Sequence, residues 1–155
     1  MRASLALSVL LACSSCAVAP GKDERDVIAA VQALFDGMKD RDVQALRALL
    51  SDGAVFASVR MSDGRAVTRS STATEFLASI GRGGDRLLER MFEPVVDVRG
   101  DFAFAQVDYD FHRGDAYSHY GVDQFLLVRE QGRWRIACIT YSVVPGGDAS
   151  PFGGV

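Results

Sequence analysis

The chain has 155 residues, of which 48% are hydrophobic and 24% charged, and a formal net charge of −3. This is the length and composition of one ordinary globular domain with its own core. With no block of Lys and Arg, it excludes nucleic acid as a partner.

The first residues read as a targeting segment. Arg2 supplies a minimal positive start, and "ASLALSVLLA" (Ala3–Ala12) is apolar but far too short to span a bilayer as a helix, which suits a signal peptide. The following "LLACSSC" resembles a bacterial lipobox, in which the Cys13 thiol is diacylated and becomes the new N-terminus. That reading implies an exported protein anchored by lipid on the periplasmic side of the envelope. The alternative is cleavage after "AVA" (Ala17–Ala19), giving a soluble periplasmic or secreted protein, although Pro20 makes that a poor peptidase site. Residues 1–19 are therefore set apart as the signal and lipobox region, 20–26 as a polar tether, 27–144 as a single domain and 145–155, rich in Gly and Pro, as a flexible tail. Cys138 stands alone in the folded part, so no internal disulfide forms there; flanked by Ile136 and Ile139, it reads as a buried inert thiol.

Helices come first. Asp23 is a good N-cap, and Val27, Val31, Leu34, Phe35 and Met38 recur at helical spacing. A second helix is expected across "DRDVQALRALL", with Val43, Leu46, Leu49 and Leu50 turned inward, stopped by Ser51–Gly53. "AVFASVR" is a short strand. Thr72-x-x-Glu75 is a capping box opening a third helix that carries Phe76, Leu77 and Ile80 and ends at Gly81. The period then changes from 3.6 to 2. Four strands are expected: Leu87–Val98, with a bulge or an edge at Pro94, then Phe102–His112, Tyr117–Glu130 and Arg133–Val144, joined by hairpin-length turns. Helices followed by an antiparallel meander define an α+β domain.

This order, closed by "GVDQFLLVREQGRWRIACITYS", resembles the nuclear transport factor 2-like superfamily, in particular its polyketide-cyclase-like and lumazine-binding-like bacterial members. The resemblance runs from about Asp23 to Val144. It implies a cone in which three N-terminal helices pack in the concave face of a strongly bent antiparallel sheet, leaving a pocket at the open end. It also implies homodimers through the outer sheet face. Members include isomerases, dehydratases and cyclases that need no cofactor, and many pocketed proteins without a known reaction, so the resemblance implies a fold and not an activity.

Hairpin register places residues on faces. If His112 opposes Tyr117, then Asp110 opposes His119, Asp108 opposes Gly121 and Gln106 opposes Asp123; if "QG" closes the next hairpin, Asp123 opposes Thr140 and Phe125 opposes Cys138. One face then has an apolar end, with Phe104, Phe125 and Trp134, and a polar end, with Gln106, Asp108, Asp110, His119, Asp123 and Thr140. A one-residue slip would carry the whole polar set to the other face. The candidate pocket lining is Gln106, Asp108, Asp110, Phe104, Phe125 and Thr140. The candidate chemistry is a desolvated Asp123 as general base, His119 oriented by Asp110 as a proton shuttle, and Tyr117 as a donor to an oxyanion. The same residues also read without chemistry, with Asp123 as a hydrogen-bonded fixture beside Thr140 and His119 as a solvated residue near a hairpin end. No spacing supports a metal site. Two functions follow: an exported pocketed domain that binds a small, partly apolar molecule or acts as an accessory module, and an isomerase, dehydratase or cyclase using Asp123.

Overall fold

The computed structural model describes residues 19–154. Cys13, and with it the lipobox reading, lies outside the described residues.

α1 (Lys22–Asp40) is capped at Gly21 rather than Asp23, because the Glu24 carboxylate accepts the Gly21 N–H at 2.6 Å. Most of the expected tether is therefore the first turn of this helix. Arg41 takes a left-handed conformation (φ 54°) and turns the chain into α2 (Val43–Leu49), whose first turn is closed by Asp42 accepting the Ala45 N–H at 2.9 Å. The two helices approach closely at Gly37, where a Cβ would lie 2.9 Å from Leu46 Cδ2. Leu50, expected as the last inward residue of α2, instead opens β1 (Leu50–Ser62). Asp63 and Gly64, both at positive φ, then close a two-residue hairpin into β2 (Arg65–Thr72), a strand the apolar pattern did not announce. α3 (Ala73–Gly81) opens on the expected capping box, with Thr72 N–H donating to Glu75 at 2.8 Å and Glu75 N–H to Thr72 Oγ1 at 3.3 Å.

β3 (Leu87–Arg99), β4 (Phe102–Arg113), β5 (Ala116–Glu130) and β6 (Arg133–Pro145) are the four expected strands. They do not form a purely antiparallel sheet. β6 pairs in parallel with β1, and the full order is β2-β1-β6-β5-β4-β3, a curved, unclosed sheet with two edges. β3 is one of those edges and carries its bulge between Phe92 and Val95, around Pro94.

Two further bulges correct the expected register. His112 does oppose Tyr117, and Leu127 does oppose Ile136. Next to each pair, however, one strand holds an extra residue, Ser118 in β5 and Ala137 in β6. Beyond them the ladders run one residue out of the expected step. Asp123 opposes Val107 and Tyr141, Gln106 opposes Gln124, Asp108 opposes Val122, Asp110 opposes Tyr120, and Phe125 opposes Ile139.

The consequence is an inner face bearing Ala103, Ala105, Val107, Phe125, Leu127 and Ile136, all buried with Val27, Val31, Leu34 and Phe35 of α1 in a single core. Phe35 and Phe125 rings meet at 6.2 Å, and Trp134 closes one end beneath the Arg129 guanidinium, 4.3 Å from the ring. The outer face carries Phe104, Gln106, Asp108, Asp110 and Thr140. The tail expected to be flexible makes contacts there that the composition did not suggest: Phe152 stacks on Phe92 at 4.4 Å, Arg90 donates to the carbonyls of Gly153 and Gly154, and Ser150 donates to Asp110.

A candidate acid–base cavity

The inner face, the second half of α1, α3 and the β1–β2 hairpin enclose a cavity of about 390 Å³. Its walls are largely apolar: Leu34 and Met38 from α1, Phe76 and Ile80 from α3, Phe111 and Phe125 from the sheet. Phe56 stacks on Phe76 at 4.5 Å, so one wall is a rigid aromatic pair. A concave apolar space with a few converging polar groups is the ordinary form of a small-molecule site.

The converging groups are Asp123 and Glu89. Asp123 is 3% exposed. Glu89, on β3, is half-buried and also lines the cavity. The two carboxyls approach each other from either side of β4, close enough for each to shift the other's titration. Burial pushes Asp123 up to about 7, with Glu89 pulling back; burial also pushes Glu89 well above the usual carboxylate range, with the charges of Asp123 and Asp110 adding to it. Both acids are therefore held toward their neutral forms. Tyr109 lies between their strands, and its phenol is kept protonated by burial and by both acids. That hydroxyl is already committed, donating to the Ser142 carbonyl at 2.8 Å. The contact passes Gly121, where a Cβ would fall 2.1 Å from the same carbonyl oxygen. The phenol left facing the cavity is Tyr141, opposite Asp123 on β6.

His119 lines the cavity beside Phe111, with ring centroids 4.9 Å apart, and its Nδ1 lies 3.0 Å from Ser118 Oγ. Burial, with Arg113 and Arg60 nearby, lowers its pKa to about 4, so it is not a cation at neutral pH. Nor does Asp110 orient it. Asp110 is fully buried on the outer face, where burial opposes its charge but Arg90 Nε at 2.9 Å and the Ser150 hydroxyl hold its pKa below the ordinary value.

Of the residues singled out in the sequence, the fold brings Asp123, His119 and Phe125 to the cavity. It turns the others away. Tyr117 packs against His112 at 5.5 Å on the outer face; Thr140, Gln124 and Gln106 form an outer hydrogen-bonded row at 3.3 and 3.1 Å; Phe104, Asp108 and Asp110 share that side. The physical reason is the extra residue at Ser118 and at Ala137. Glu89 and Tyr141 went unnoticed, although Leu87-x-Glu89-x-Met91 alternates an acid into an otherwise apolar row.

A helix-bearing curved sheet over a cavity with buried acids defines the class: a nuclear transport factor 2-like domain with a ligand pocket. More particularly, the sequence pattern of the family described as "Putative lumazine-binding" matches residues 22–142, and the chain belongs to that family. Solved structures agree on the fold. The chain is similar to a conserved protein from Planctomyces limnophilus (20% identity, TM-score 0.67, covering 80% of this chain and 98% of that one). It is similar to a nuclear transport factor 2-like protein with a cystatin-like fold from Novosphingobium aromaticivorans (15%, TM-score 0.65, 81% and 84%). A third similar structure is that of a putative dehydratase of the nuclear transport factor 2-like family from Streptomyces avermitilis (18%, TM-score 0.61, 80% and 97%). No curated protein matches the chain.

Proposed function

We propose that the protein binds one small, partly apolar molecule in the cavity between the helices and the inner, concave face of the sheet. The carrying observation is that two acids, Glu89 and Asp123, line a largely apolar space of about 390 Å³. A folded chain buries two acids only against a cost, which a polar group on a ligand offsets. The family's name, and the small heteroaromatic molecule in it, support the same size class. The neutral dye N-phenyl-1-naphthylamine tests the reading. It should gain fluorescence on the full chain and lose it when Ser58→Trp fills the cavity; unchanged binding by that variant, with unchanged circular dichroism, would overturn it.

A second reading is favoured by the value near 7 at Asp123. A carboxylate poised at that pH inside apolar walls is a general base, and Tyr141 is placed to donate to a developing oxyanion. This is the chemistry of a cofactor-independent isomerase, dehydratase or cyclase, and the similar putative dehydratase from Streptomyces avermitilis supports it. The carbon acid 5-nitrobenzisoxazole is the probe. Ring opening should fall at least about tenfold in Asp123→Asn; equal rates in the two proteins sink the catalytic reading and leave the binding one intact.

The N-terminal pattern supports an exported protein held to the periplasmic side of the membrane through lipid on Cys13. The outer sheet face, with Val55 and Val59 at 48% and 38% exposure, supports a homodimer.

A further inference from the structure

Resting on the binding reading above, we propose that the cavity takes a small, partly aromatic organic acid, its anionic group held at the mouth by Arg60, Arg69 and Arg113. All three line the opening. Arg69 opposes Ser58 across the β1–β2 hairpin, and Arg60 is the next residue of β1 on the same face, so the two guanidinium groups are diagonal neighbours. Like charges so placed repel each other. Arg113 comes from the far end of β4, and its guanidinium lies 5.9 Å from the centre of the Phe111 ring. Arg113 on β4 and Arg60 on β1 both line the cavity and stand close enough to His119 to oppose its protonation, so they converge on one opening from different strands.

Some arginines away from the cavity are matched. Arg90 bonds Asp110, Arg129 reaches Asp23 and Asp101, and Arg41 is held by the carbonyls of Ile80 and Asp85. Among the described residues no carboxylate lies within 4.0 Å of Arg60, Arg69 or Arg113. The chain as a whole is acidic, so this cluster is no spill of general basicity. Guanidinium groups favour planar or tetrahedral oxyanions, which they bind through paired N–H donors. The charges also fix a direction. Glu89 and Asp123 at depth reject an anion, so the acid head of the ligand stays at the mouth and its aromatic body lies against Phe56, Phe76 and Phe111.

Two dyes with one body separate the claims. 8-Anilinonaphthalene-1-sulfonate carries a sulfonate that N-phenyl-1-naphthylamine lacks. On the full chain the sulfonated dye should bind about tenfold more tightly than the neutral one, an advantage shrinking as salt rises from 0.05 to about 0.5 M. The triple variant Arg60→Gln, Arg69→Gln, Arg113→Gln should lose that advantage and keep its affinity for the neutral dye. Circular dichroism and thermal melting serve to confirm that the variant is folded; should it not fold, each single replacement should lose about twofold. Equal affinity for both dyes on the parent chain would overturn the anion site and leave the cavity reading standing. Failure of both dyes to bind would overturn the cavity reading itself. Tight binding of the sulfonated dye that survives Ser58→Trp would place it outside the cavity and also overturn the proposal.

Discussion

Asp123 carries a charge that the fold resists. Its pKa in the folded chain is raised to about 7, so the stability tied to its neutral form is fully present below the unfolded value near 4 and is lost as pH rises through 7. His119 works the other way. Its pKa, lowered to about 4, gives stability that is present above its ordinary value near 6.5 and lost as pH falls toward 4. The two slopes oppose each other in the parent chain. Replacing Asp123 with Asn should expose the difference: chemical denaturation at pH 5 and pH 8 should show the parent losing on the order of 1–3 kcal/mol of stability relative to the variant at the higher pH. A parallel pH dependence in both proteins would show that Asp123 is not the group resisting ionisation.

At the scale of elements, the outer face of β3, β4 and β5 is tied to the chain end. Arg90 forms the hub, joining the fully buried Asp110 to the carbonyls of Gly153 and Gly154, while Phe152 lies on Phe92 and edges Tyr120. Removing Arg90 leaves an uncompensated buried charge, which costs about 3–5 kcal/mol where it has been measured. Arg90→Ala should therefore lower the melting temperature sharply and expose the tail to carboxypeptidase; Arg90→Ala with Asp110→Asn should recover part of the loss. A tail cleaved equally fast in parent and variant would show that the hub does not hold it. This was hidden from the sequence because Gly, Pro and Ser announce turns, not the partner that a lone Phe152 will find.

The elements that were legible have local signals. Thr72 and Glu75 write a capping box, "QG" writes a two-residue turn, and Val27 to Met38 repeat at helical spacing. β2 was missed because its polar, exposed residues give no apolar alternation, although Asp63-Gly64 is a strong hairpin signal. The parallel pairing of β1 with β6 joins residues about 80 apart, and no local pattern encodes it. The site residues were all placed through pairing between strands, which two bulges altered: Asp123, His119 and Phe125 still reach the cavity, whereas Tyr117, Gln106, Asp108, Asp110, Phe104 and Thr140 turn outward.

For the whole molecule, the proposed assembly and location make one joint prediction. The full chain expressed with its own N-terminus should partition with membranes, and Cys13→Ser should release it. The released protein should sediment as a dimer at micromolar concentration, with Val59→Asp shifting it to monomer. Release failing in Cys13→Ser would refute the lipid anchor, and a monomeric parent would refute the outer-face dimer.

Ser118 and Ala137 touch no ligand in any of these readings, yet they decide what a ligand meets. Each adds a half-step to its strand, and a half-step is the difference between presenting Asp123 or its neighbour Gln124 inward. A shortening by one codon at either site would keep every acid and arginine in the gene and still hand the hollow a different chemistry. Relatives of this chain can thus diverge in what they accept through length alone, with every named side chain still in place.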